Sequence, residues 1–253
     1  MALDVPLYGP HWFNGIDTAF DIISIFAALM VAWYARKIKC ITGDKSCCAL
    51  GHAFILIAIS FAIKVLTNIA VYTKLGDLSK PFILAEVIQV QILFALGYFF
   101  YRLFFLVALI WLVCIGLKVI DWRVKMLFVL FAAVATFFSH YSYLVFHLTA
   151  MILLVYVVAD KYGTYKQSRN RRSAIIALSF FAVLLSQVMF VFVSLEPWMY
   201  VIGETLQVIG FLGIIYNQVT LPKAECCYVS SVPDGSAGSA NVRWRSNGYS
   251  GRK

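Results

Sequence analysis

Seven apolar runs, each near the 20 residues that an α-helix needs to cross a bilayer, recur at about 16–36, 50–73, 92–118, 124–139, 141–160, 173–194 and 197–218. A chain with that rhythm is expected to fold as an all-α integral membrane bundle of seven transmembrane helices. The fourth run is the shortest. Composition agrees: hydrophobic residues make up 62% and charged residues 13%, with a mean hydropathy of +0.85. Typical globular chains hold about 45–50% apolar and 25% charged residues, so an ordinary soluble domain is excluded.

Charge placement orients the spans, because inner loops of multi-pass proteins gather lysine and arginine. With the amino terminus outside and the carboxyl terminus inside, the inner segments hold Arg36, Lys37, Lys39 and Lys45, then Lys118, Arg123 and Lys125. The next holds Lys161, Lys166, Arg169, Arg171 and Arg172, and the last Lys223, Arg243, Arg245, Arg252 and Lys253. Of the 21 basic residues, only Lys74 and Lys80 fall outside, and Lys64 and Arg102 fall deep within spans. An even helix count breaks the alternation. The net charge of +9 then reflects inner loops facing anionic membrane lipids, and requires no nucleic acid. Lys166 to Arg172 (KQSRNRR) reads as a topology anchor that could also meet headgroups or a cytosolic partner. No basic stretch precedes an apolar core between Met1 and Gly15, so the first span is expected to be its own insertion signal into the cell membrane.

Pro81 to Lys118 is apolar for longer than one span requires. Pro81 is expected to start an interfacial piece carrying Glu86, Gln89 and Gln91, with the span proper after it; a single tilted helix is the alternative. The cysteines read as inner or buried, where disulfides are disfavoured. Cys47-Cys48 and Cys226-Cys227 are juxtamembrane pairs suited to S-acylation. Neither has the C-x-x-C spacing of zinc motifs, and no metal site is expected. Residues 1–222 form the transmembrane domain. After Pro222 the chain turns polar and rich in glycine and serine (DGSAGSA, Asp234 to Ala240), so 223–253 is expected to be a disordered cytoplasmic tail.

Polar residues inside the spans carry the functional reading. A charge at membrane depth costs roughly 2.5 kcal/mol or more and usually has a partner or a function. At ~1.5 Å per residue from the outer helix ends, Glu204 lies about 10 Å deep. Asp21, Lys64, Asn68, Arg102, His147 and Gln187 reach similar depth, and Gln207 is one turn deeper than Glu204 on the same helix face. Two cations, Lys64 and Arg102, balance two carboxylates, Asp21 and Glu204, with Glu86 near the mouth. Such a layer can receive a small polar ligand from outside, or it can simply lock helices together. Below Gln207 the spans are mainly apolar, which argues against a constitutive channel and weakens a small-solute transporter.

Signals for an enzyme or a cofactor are thin. His140 and His147 share a helix face, but haem ligation needs a facing histidine, and only His11 and His52 remain. No H-E-x-x-H, G-x-S-x-G or phosphate-cradling glycine loop occurs. The aromatic block of Tyr98, Phe99, Phe100, Tyr101, Phe104 and Phe105 packs helices or lines a cleft. Seven helices with the amino terminus outside resemble microbial rhodopsins and G-protein-coupled receptors in topology only. The seventh helix carries no lysine for retinal, and the receptor motifs D-R-Y and N-P-x-x-Y are absent. The stretches IDTAFDIISIFAALMVAWYARK, SFAIKVLTNI and YVIGETLQVIGFLGII resemble uncharacterised multi-pass proteins of archaeal genomes, a resemblance that implies no particular activity. The expected function is a sensory or binding protein with a polar pocket in the outer half of the bundle. The alternative is a non-catalytic scaffold subunit of a membrane complex, including a homo-oligomer; a transporter ranks third.

Overall fold

The computed structural model describes residues 10–13, 15–42, 45–76, 84–119, 121–139 and 143–219, all in the unit spanning 1–222. Among them are seven α-helices and no strand: α1 (Ile16–Thr42), α2 (Lys45–Gly76), α3 (Leu84–Gly116), α4 (Trp122–Ser139), α5 (Tyr143–Ser168), α6 (Arg171–Val191) and α7 (Trp198–Val219). Short 3₁₀ turns at His11–Phe13 and Phe192–Ser194 lead into α1 and out of α6. Six of the helices are long and apolar enough to cross a membrane. The remaining one, α4, has 18 residues and is the shortest of the seven. The 223–253 tail, with Cys226 and Cys227, lies outside the described residues, as do Pro81 and His140.

Local chemistry sets the helix ends. Lys118 adopts φ +53°, the Lys118 N–H donates to Ile115 O and the Val119 N–H to Cys114 O. This pair of bonds is a Schellman stop for α3, with lysine where glycine usually sits. Asp121 Oδ1 accepts from the Arg123 N–H at 3.0 Å and so caps α4. Asn170 Oδ1 caps α6 in the same way, accepting from the Arg172 N–H.

The third helix corrects one expectation. From Leu84 it runs unbroken to Gly116, 33 residues or about 50 Å, so the stretch with Glu86, Gln89 and Gln91 is continuous with the span, as in the single-helix alternative. Nothing between Leu84 and Gly116 breaks helical hydrogen bonding, since proline is absent from that stretch. Gln91 lies on the exposed surface of this helix.

Helices α1 and α2 pack together, as do α2 and α3, α5 and α6, and α6 and α7; α1 also meets α7. Helix α3 packs on α5, and α4 lies against both. Small side chains permit the close approaches. Ala27, Ala28, Ala32 and Ala35 of α1 and Ala53 and Ala58 of α2 are buried, and a Cβ on Gly51 would lie 3.3 Å from Ala32 O. In membranes, where apolar burial drives little association, such small-residue contacts let backbones pack. A central cluster of Phe61, Phe105, Phe146 and Phe211 fills the middle, with the Phe61 and Phe211 rings edge-on at 5.6 Å.

Burial is inverted relative to a water-soluble protein. Every helix turns large apolar side chains outward, among them Phe26, Leu66, Ile92, Phe131, Ile152, Leu178 and Ile209. Meanwhile Asp21, Lys64, Arg102, His147, Gln187, Glu204 and Gln207 are buried. Soluble monomers rarely expose such contiguous apolar surface. Lipid tails accept it.

Candidate functional site

All eight intramembrane polar residues singled out in the sequence are buried, and six of them fall into two groups. The first joins α1, α2 and α7. Lys64 Nζ donates to Asp21 Oδ1 at 3.0 Å and to Glu204 Oε1 at 2.7 Å. One ammonium thus bridges two carboxylates carried by two other helices. The Lys64 ammonium also lies 5.8 Å from the centre of the Tyr101 ring, whose face attracts cations. The second oxygens, Asp21 Oδ2 and Glu204 Oε2, are buried and accept no hydrogen bond among the described residues.

The second group joins α5, α6 and α7. His147 Nδ1 and Gln187 Oε1 are 2.9 Å apart, and Gln187 Nε2 makes longer contacts of 3.4 Å with Gln207 Oε1 and Ser186 Oγ. With its NH₂ turned to two acceptors, Gln187 presents its carbonyl to the imidazole, so Nδ1 is the donor. In neutral imidazole that leaves the lone pair on Nε2.

Arg102 and Asn68 have further contacts of their own. The Arg102 guanidinium lies 5.7 Å from the Tyr143 ring centre and 5.6 Å from that of Phe146, both on α5. Asn68 Oδ1 accepts from Tyr98 Oη at 3.1 Å. Glu204 is therefore partnered by Lys64, the nearer of the two cations proposed from depth alone.

A cavity lies between the groups. Its walls are Lys64, Tyr98, Tyr101, Arg102, Tyr143, Phe146, His147, Phe190, Tyr200 and Glu204, and it offers ≈ 20 Å³ to the centre of a water-sized molecule. That is room for one such molecule. It sits toward the end of the bundle where α1, α5 and α7 begin, since Asp21, Tyr143 and Tyr200 all lie in the first two turns of their helices.

Tyr98 and Tyr101 belong to the aromatic block noted in the sequence; the other rings were missed. A signal was present: Tyr143 and Tyr200 each stand four residues before a polar site residue, His147 and Glu204, and so share its helix face. The other candidates separate from this site. His52 is exposed on α2, and no group of three or more His, Cys, Asp and Glu among the described residues could hold a metal ion. Cys47 and Cys48 are partly exposed in the first turn of α2, where Lys39 Nζ lies 3.3 Å from Cys48 Sγ.

The fold and the inverted burial define a helical bundle of multi-pass membrane type. No protein-family model, curated protein or solved structure matches the chain.

Proposed function

We propose that the protein is a seven-span cell-membrane protein, amino terminus outside, that binds a small polar molecule in the outer half of its bundle. Occupancy there is relayed to the basic inner loops by movement of the helices. One observation carries the reading: the cavity is walled by ionic, imidazole and phenol groups from α2, α3, α5 and α7, with Phe190 of α6 beside them. Kinship with archaeal multi-pass proteins and acylation of Cys47 and Cys48 belong to the same proposal and rest on sequence alone.

The scaffold reading has one observation in its favour. Tyr101 and Phe105 of the aromatic block are buried against Phe61 and Phe146, which is packing. The two readings part on solute response. Melting of the purified protein in detergent, screened against amino acids, carboxylic acids, polyols and amines, should show at least one solute that raises the melting temperature saturably. The same solute should fail on Glu204→Gln. A bundle indifferent to every solute in the screen is the scaffold outcome.

Orientation is tested separately. In a variant lacking the native cysteines, single cysteines at Asp44 and Asn170 should label only from the inside. Those at Leu75 and Glu196 should label from the outside. Outside labelling at position 170 would break the seven-span assignment.

A further inference from the structure

We infer that the hairpin joining α5 to α6 is a seat for the phosphate headgroups of anionic phospholipid, a site apart from the cavity described above and not dependent on it. Lys166, Arg169, Arg171 and Arg172 are all exposed there. No acidic residue occurs between Asp160 and Glu196, and Asp160 is engaged by Lys161 at 2.8 Å. Among the described residues, no ion pair involves any of the four. Elsewhere at this end of the bundle basic side chains lie against the protein itself. Lys37 Nζ is 6.0 Å from the Trp33 ring centre and Lys125 Nζ 5.9 Å from that of Trp111, while Lys39 Nζ lies against Cys48 Sγ.

The turn is held by its own bonds, and its charges stand where they repel. The Arg169 N–H donates to Tyr165 O at 2.7 Å, and the Ser168 and Ser173 hydroxyls are 3.1 Å apart. Arg169 has φ +47°, a left-handed conformation that residues other than glycine, asparagine and aspartate seldom adopt. Arg171 and Arg172 occupy the first turn of α6 with no acidic residue beside them, where the helix dipole disfavours cations. Dipole electrostatics accounts for Lys166 and Arg169 at the end of α5, but not for these two arginines. An anion lying across the hairpin offsets the repulsion among all four.

Position selects lipid over a soluble partner. Exposed Leu178 stands six residues after Arg172, and exposed Tyr162 four before Lys166. At ~1.5 Å per residue the charges therefore lie about 6–9 Å from side chains of the apolar surface. The headgroup zone on each side of the hydrocarbon is about 5–8 Å thick, and tyrosine is enriched at its edge. Guanidinium forks pair with phosphate oxygens two at a time, so three arginines suit phosphodiester headgroups.

The test is thermal melting of the full-length protein in neutral detergent, titrated with short-chain phosphatidylglycerol or with phosphatidylcholine of the same chain length. Phosphatidylglycerol should raise the melting temperature saturably, by about 5 °C at a hundredfold excess over its dissociation constant. Phosphatidylcholine should not, and about 1 M sodium chloride should abolish the response, because screening then acts within about 3 Å. Arg171→Gln should raise the half-saturating concentration about fivefold, and glutamine at Lys166, Arg169, Arg171 and Arg172 together at least about thirtyfold. The single variant serves if the fourfold one folds poorly. Arg36→Gln, Lys37→Gln and Lys39→Gln, made together at the same end, should leave it nearly unchanged. An equal response to phosphatidylcholine, an equal loss in that control, or an undiminished response in the hairpin variants overturns the inference. So does equal stabilisation by inorganic phosphate, which would make the anion a free one. A glutamate-rich peptide that stabilises as well as the lipid would assign the patch to a soluble acidic partner and overturn it too.

Discussion

Lys64→Met should lower the melting temperature by on the order of 10 °C, the largest effect of any single substitution in the polar layer. The ammonium it removes is the only group among the described residues that hydrogen-bonds Asp21 Oδ1 and Glu204 Oε1. Its loss leaves two buried carboxylates facing each other. Removing one member of a buried ion pair costs about 3–5 kcal/mol, because the partner stays desolvated and unpaired, and each kcal/mol moves a domain of this size by about 2–4 °C. Glu204→Gln should be milder, since Asp21 still holds the ammonium. Adding Asp21→Asn and Glu204→Gln to Lys64→Met should recover most of the loss, because a neutral set needs no counter-ion. Recovery beyond the sum of the single effects measures the coupling. A melting temperature unmoved by Lys64→Met would mean that the bridge contributes nothing.

The second large effect is expected at Gly210, where α7 crosses α6. A Cβ there would lie 2.5 Å from Val183 Cγ2 and 2.9 Å from the Ser179 backbone oxygen. The side chain can rotate away; the backbone oxygen cannot, so the helices must part. Overpacking of this kind costs about 1–3 kcal/mol, occasionally more, and here it also pulls Gln207 from Gln187. Gly210→Ala should therefore destabilise, whereas Gly163→Ala, at a position with nothing within 4 Å, should be neutral or slightly stabilising. Equal melting temperatures for the two variants would show that α6 and α7 are not in tight contact.

The helices, six of them long and apolar enough to cross a membrane, were legible in the sequence because hydropathy depends only on composition along the chain. That the polar residues within the apolar runs turn inward was legible too, since a charge at membrane depth needs a partner, and all eight are buried. Angular position was harder. Lys64 and Arg102 have similar depth, and only packing decides that Lys64 turns to α1 and α7 while Arg102 turns to α5. The partnering of Asn68 with Tyr98 was hidden for the same reason. Helix α3 ran past the expected break because an apolar run can extend a helix beyond the bilayer's need, and periodicity cannot say where lipid ends. The α6–α7 contact left a trace in the spacing of Gly203, Gly210 and Gly213, all of which face α6 residues. Glycine in an apolar helix is common enough that the trace did not separate from background.

The central claim is that the buried ionic layer is a binding site as well as a clamp, and one comparison tests it most directly. The solute that stabilises the native protein is added to the Asp21→Asn, Lys64→Met, Glu204→Gln triple variant, and melting is recorded with and without it. The account predicts a variant that melts within a few degrees of the native protein and no longer responds to the solute. A variant of native stability that still responds in full would place the binding elsewhere and leave the layer as packing alone.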